Sequence, residues 1–188
     1  VVKATVEISK IIAKFLSELS EVCEVEYYHV PFANHSQTRP LGTKASELAD
    51  EDMEYVISHY IEDLCSINPR IKVCLAKEGS TYLDIPINGN EVTSMHGHGV
   101  KSMESCIKDL SMLRRSFIDY LVVGHLHGGK EIVTNEGCCC DTELLVCPSF
   151  VGSDPYSDSL MKGSKSAVKI FGFDEIYGHI ETYKFVLN

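Results

Sequence analysis

At 188 residues, 44% hydrophobic and 23% charged, the chain is long enough to bury one good core, and a single domain spanning residues 1–188 is expected. Its net charge of −10, with no stripe of Lys and Arg, disfavours tight nonspecific binding to a nucleic-acid duplex. No run approaches the roughly eighteen apolar residues of a membrane span and no basic-then-apolar leader is present, so no membrane partner and a cytoplasmic setting are expected.

In chain order, Val6, Ile8, Ile11, Ile12, Phe15, Leu16 and Leu19 recur at helical spacing and predict an amphipathic helix over Lys3 to Leu19. Val22 to Val30, rich in Val and Tyr, reads as a strand stopped by Pro31, ahead of a polar loop from Ala33 to Thr43. A second helix is expected from Glu51 to Cys65, capped by Asp50, with Met53, Val56, Ile57, Tyr60, Ile61 and Leu64 inward. Beyond Pro69 the period shortens. Ile71 to Ala76, Thr81 to Ile87 and Glu91 to Met95 read as strands, the last two joined by an Asn88-Gly89-Asn90 hairpin turn. A third helix is expected over Ser102 to Arg115, and strands over Tyr120 to Val123, Glu131 to Thr134, Leu144 to Cys147, Ala167 to Phe173 and His179 to Leu187. Between them lies a long loop, Pro148 to Ser166, of the kind that often carries function. Strands that first alternate with helices and then meander predict an α/β (α+β) fold of mixed sheets flanked by helices.

Of the eight cysteines, five stand singly within periodic segments and read as reduced, small hydrophobes. Cys138, Cys139 and Cys140 are consecutive, so on an extended backbone they point alternate ways and cannot readily close on one tetrahedral metal. The histidines carry more information. His35, His96, His98, His125 and His127 all fall in loops just past strand ends, where side chains from separate strands converge on one sheet edge. The sharpest element is Gly124-His125-Leu126-His127-Gly128, directly after the apolar Tyr120 to Val123. Read as extended, it projects both imidazoles to one side, able to address two adjacent metals.

Gly124-His125-Leu126-His127 resembles the C-terminal signature of calcineurin-like metallophosphoesterases. Ala33-Asn34-His35-Ser36 is similar to that family's Gly-Asn-His-Asp/Glu motif, and Met95-His96-Gly97 to its His-Gly motif, in the same order. The resemblance implies a four-layer α/β/β/α sandwich and a dinuclear centre of divalent ions (Mn, Fe, Zn or Ni) that hydrolyses phosphoesters. A phosphodiesterase or nuclease, in the phage or SbcD/Mre11-like branch, is the expected activity, with nucleic acid among the candidate substrates. It further implies that Asn34, His96 and His125 bind one metal and His127 the other, with His35 as the catalytic group on the phosphate or leaving oxygen. Arg39, His98 and Tyr156 are candidate substrate contacts.

Two departures are visible. Ala33 and Ser36 replace the family's Gly and acidic residue, and neither the Asp-x-His nor the Gly-Asp motif occurs in these residues. The chain is therefore expected to begin after those motifs and their strands, to hold at most one metal by itself, and to leave an open sheet edge through which it could pair with another copy. The competing expectation is a non-catalytic interaction module that keeps the fold.

Overall fold

The computed structural model describes residues 2–30, 32–33, 36–38, 52–153, 155–159 and 163–187. The chain has a mixed α/β fold. It divides into two compact units, Val1–Leu83 and Asp84–Asn188, with the division falling inside one strand. No helix among the described residues is long and apolar enough to cross a membrane.

In the first unit, α1 (Val2–Ser20) leads to β1 (Val25–His29), and α2 (Met53–Cys65) crosses over to β2 (Ile71–Leu75), which pairs parallel with β1. Leu16, Val25, Ile57, Ile61 and Cys65 form the core of this unit. On α1, Leu16 belongs to this core, and Ile12, Ala13 and Leu19 pack against it. Thr5, Ser9 and Ser20 are buried on α1, while Ile11 and Phe15 are 62% and 59% exposed. Helical spacing predicts most of the large apolar side chains of α1 on one face. The structure buries Leu16 together with three small residues, and two of their hydroxyls bond back into the chain, Ser9 Oγ to Thr5 O at 2.9 Å and Ser20 Oγ to Ser17 O at 2.7 Å. On α2, Val56 and Leu64 are likewise exposed, and Ile57, Ser58, Ile61 and Cys65 are buried.

The cap of α2 is Asp52 rather than Asp50, which lies outside the described residues. Asp52 Oδ1 accepts the Glu54 N–H at 3.0 Å, satisfying a donor that the helix start leaves open. The same carboxylate accepts the Ala33 N–H at 3.2 Å and the Ser36 hydroxyl.

The second unit is built on a five-stranded mixed sheet in the order β3-β4-β5-β7-β6. Its strands are β3 (Tyr82–Ile87), β4 (Asn90–Met95), β5 (Tyr120–Val123), β6 (Glu131–Asn135) and β7 (Thr142–Val146). β4, β5 and β7 run parallel, and β6 returns antiparallel beside β7. Helix α3 (Cys106–Arg114) connects β4 to β5. It starts later than helical spacing suggests because the Ser102 hydroxyl accepts the Ser105 N–H at 3.3 Å and shapes a turn in place of the first helical residues. Within the long loop after β7 lies the short helix α4 (Pro155–Ser159), followed by the antiparallel hairpin β8 (Ala167–Asp174) and β9 (Gly178–Val186).

Both faces of the sheet are covered, which is why β5 and the end of β7 read as near-continuous apolar runs. Leu121, Val123, Leu144 and Val146 pack with Cys106 and Ile107 of α3. Tyr120 and Leu145 turn to the opposite face with Val92, where Phe171 and Phe173 of β8 cover them. At about 1.5–3 kcal/mol for each large side chain fully buried, this double layer is the main stabilising term of the unit.

Arg114 closes the α3 side, donating to Thr93 Oγ1 at 2.8 Å and to Asp84 Oδ2 at 2.6 Å. On the other side the hydroxyl of fully buried Tyr120 accepts the His179 N–H at 3.0 Å, and His179 Nδ1 lies 3.1 Å from Glu143 Oε2. Burial raises the Tyr120 phenol above its ordinary range. Tyr120→Phe should therefore leave a backbone donor unsatisfied at little change in volume. The expected loss is about 1–3 kcal/mol in urea-induced unfolding, with the sheet spectrum by circular dichroism unchanged.

Candidate functional site

The site follows from parallel pairing. Met95 and Val123 are register partners at the ends of β4 and β5, so the residues that follow them, His96 and Gly124-His125, emerge side by side at one sheet edge. The backbone locks this arrangement, since the His96 carbonyl accepts both the Gly124 N–H at 3.1 Å and the His125 N–H at 2.9 Å. The two imidazoles then meet: His96 Nε2 and His125 Nδ1 are 3.1 Å apart and the ring centroids 4.9 Å apart, at 63°.

His98 joins them, 5.6 Å from His96 and 6.3 Å from His125 between ring centroids, but it is exposed. What allows two histidines flanking a single residue to turn toward one place is Gly97. Its φ of +98° lies in the region that side chains disfavour, and a Cβ there would stand 3.0 Å from Val123 Cβ.

His127 departs from the extended reading. Residues 124–127 form a turn, with the His127 N–H donated to Gly124 O at 3.2 Å, and His127 itself is exposed with φ +54°. An extended segment would project His125 and His127 to the same side; this turn breaks that alternation. The cause lies in the next residues, where Gly128 bridges to Pro148 and the Lys130 carbonyl accepts the Val146 N–H at 2.8 Å, pulling the chain round to start β6 beside β7.

Asn34, His35 and Arg39 lie outside the described residues, as does the side chain of Tyr156. The neighbours of Asn34 and His35 are described, and they reveal a residue that sequence reasoning passed over. Ser36 carries no carboxylate of its own, but it bonds to that of Asp52, which also holds the Ala33 N–H. One carboxylate thus grips both flanks of the Asn34-His35 pair. The only signal for it in the sequence is an Asp at the start of a helix, which ordinary capping explains.

Two imidazole nitrogens at 3.1 Å can share a proton or, with that proton displaced, a metal ion. Nitrogens each about 2.0–2.1 Å from one tetrahedral ion stand roughly 3.3 Å apart. The pair therefore fits two corners of a coordination shell with little movement. Among the described residues, no group of three or more His, Cys, Asp and Glu side chains gathers to enclose an ion. Cys147 lies beyond the end of β7, but burial pushes its thiol pKa up, against a smaller lowering effect of Lys169, so it is poorly suited to serve as a thiolate.

No family model matches the chain. It is 36% identical over 183 residues to the SPbeta prophage-derived uncharacterized protein YonJ of Bacillus subtilis (strain 168), a match that covers 97% of this chain and 45% of that protein. The chain thus spans somewhat under half the length of the curated relative it matches. Among solved structures it is similar to a double mutant of Vps29 from Entamoeba histolytica, with 14% identity, a TM-score of 0.48 and coverage of 93% of this chain and 89% of that one. Vps29 from Cryptosporidium parvum gives 14% identity and a TM-score of 0.41, covering 87% and 97% of the two chains. Wild-type Vps29 from Entamoeba histolytica complexed with Zn2+ gives 16% identity and 0.41, with the same coverage.

The dependence of the His96 turn on Gly97 is open to direct test. Gly97→Ala should cost about 1–3 kcal/mol in denaturant unfolding, because the new methyl meets Val123 on a disfavoured backbone. The His96 and His125 ring signals in proton NMR should shift together, since the two loops share the His96 carbonyl.

Proposed function

We propose that His96 and His125 are two ligands of one divalent cation, and that the chain is the histidine-bearing portion of a metal-dependent phosphoester hydrolase, a phosphodiesterase or nuclease by chemistry. The observation that carries this reading is the 3.1 Å approach of His96 Nε2 to His125 Nδ1 at the ends of two parallel strands. Within the same reading Asn34 is the third ligand, His127 serves the second ion of the intact enzyme, and His35 hydrogen-bonds the phosphate or protonates the leaving oxygen.

Exposed His98 then stands beside the metal pair as a donor to a phosphate oxygen, with Arg39 and Tyr156 as further substrate contacts. A cation bound there polarises the phosphoryl group and lowers the pKa of a bound water. The chain's own residues supply ligands, orientation and hydrogen bonds. Carboxylates that would complete a two-metal centre are not among them, since Asp-x-His and Gly-Asp are absent from the 188 residues. Eight free thiols agree with a reducing, cytoplasmic setting.

A second reading, an interaction module that keeps the metal-binding edge without turnover, is favoured by one specific observation. His127 is turned out and exposed, away from the alternation that would align it with His125. Homo-oligomerisation through an edge of the β1–β2 sheet, two-stranded among the described residues, belongs with this reading.

Calorimetric titration with manganese or zinc separates the two. One ion per chain is expected, with His96→Ala and His125→Ala each weakening it by more than about tenfold and His127→Ala leaving it unchanged. Hydrolysis of bis(p-nitrophenyl) phosphate should be slow for the 188 residues alone and fast for a longer protein that carries both carboxylate motifs. Tight binding of two ions with rapid turnover by this chain alone would overturn the assignment of ligands. Absence of turnover in the longer protein would favour the module.

A further inference from the structure

Outside the histidine cluster, one arrangement runs against the rules of sheet pairing. Lys169 and Lys184 are directly opposed in the β8–β9 ladder, and like charges so placed destabilise a hairpin. Lys169 is compensated: it bonds to Glu131, lies 5.7 Å from the centroid of the Phe171 ring, and its side chain is only 4% exposed. Lys184 is exposed, and among the described residues no ion pair involves it.

Both side chains reach the same spot. A methyl placed on Gly129 would stand 3.9 Å from Lys169 Cε and 3.9 Å from Lys184 Nζ, and one on Gly128 would stand 3.6 Å from Lys130 Cε. Gly128 and Gly129 follow His127 immediately and Gly128 bridges to Pro148, just past the end of β7, so the lysines lie toward the same strand ends as the histidines. In a chain of net charge −10, Lys130 and Lys184 beside two adjacent glycines, with Lys169 held by Glu131, make a local excess of positive charge. Gly129, at φ +57°, brings no side chain of its own, and Pro148 Cβ would stand 3.4 Å from a methyl placed there.

We propose that Lys130 and Lys184 form a phosphate subsite over Gly128 and Gly129. It takes a second phosphate of a ligand whose phosphoester lies at His96 and His125. The ligand class is therefore one with at least two phosphates, met either by a single-stranded oligonucleotide or by a nucleoside polyphosphate. The pairing with the histidine edge rests on the function proposed above; the lysine subsite itself does not.

Binding is measured without metal, at low salt, with a thymidine hexanucleotide, ATP and inorganic phosphate as separate probes. Lys184→Gln should weaken the hexanucleotide or ATP about tenfold and reduce the salt slope of binding by about one. It should also raise Tm by about 1–2 °C, because the opposed charges are relieved. Lys184→Arg should keep the affinity. Whichever of the two probes binds identifies the source of the second phosphate. Unchanged affinity in Lys184→Gln, a lowered Tm, or inorganic phosphate bound as tightly as either larger probe would overturn the proposal. His125→Ala distinguishes the two readings: loss of the cation with metal-free probe binding intact leaves the subsite standing whether or not the metal assignment holds.

Discussion

The parallel ladder between β4 and β5 is the constraint on which the candidate site depends. Parallel neighbours finish at the same edge, so a residue after β4 and a residue after β5 are delivered to one place without any contact chosen for the purpose. Two amide donors on a single carbonyl then convert nearness into a fixed geometry. That carbonyl belongs to His96, so the backbone holding the cluster and one of the imidazoles in it are the same residue.

Such an edge is stable only because the sheet behind it is buried on both faces. Alternation along Tyr120, Leu121, Val122 and Val123 sends successive side chains to α3 and to β8, and neither face can shift without opening the other. The polar links at the periphery are few and specific. Arg114 ties the end of α3 to Asp84 and Thr93, while Tyr120 and Glu143 accept from His179 on the far side. Buried groups of this kind contribute modestly when paired and are costly when orphaned, so they act more on register than on total stability.

The first unit shows a different economy. On α1 Thr5, Ser9 and Ser20 are buried beside Leu16, while Ile11 and Phe15 stand toward solvent. After β1, Ala33 and Ser36 are held at Asp52, where one carboxylate caps α2 and bonds to both. A group that does two such tasks is invisible to motif reading, because capping alone accounts for its identity and the loop partners lie some sixteen to nineteen positions away.

Much was legible from residue order alone. The mixed α/β class, nearly every strand, and the placing of His96, His98, His125 and His127 beyond strand ends follow from periodicity and turn chemistry, which are local properties. Nonlocal matters were not. The outward face of α1 depends on how closely α2 approaches, and helical spacing reports only that a face is apolar. His127 leaves the line of His125 because Gly128 must reach Pro148, a partner twenty residues on, and no short-range rule contains that pull. The opposition of Lys169 and Lys184 requires knowing the hairpin register. Sequence by itself determined which chemistry each loop could offer; tertiary structure decided which of those groups meet, because strand order and register set the distances between residues far apart in the chain.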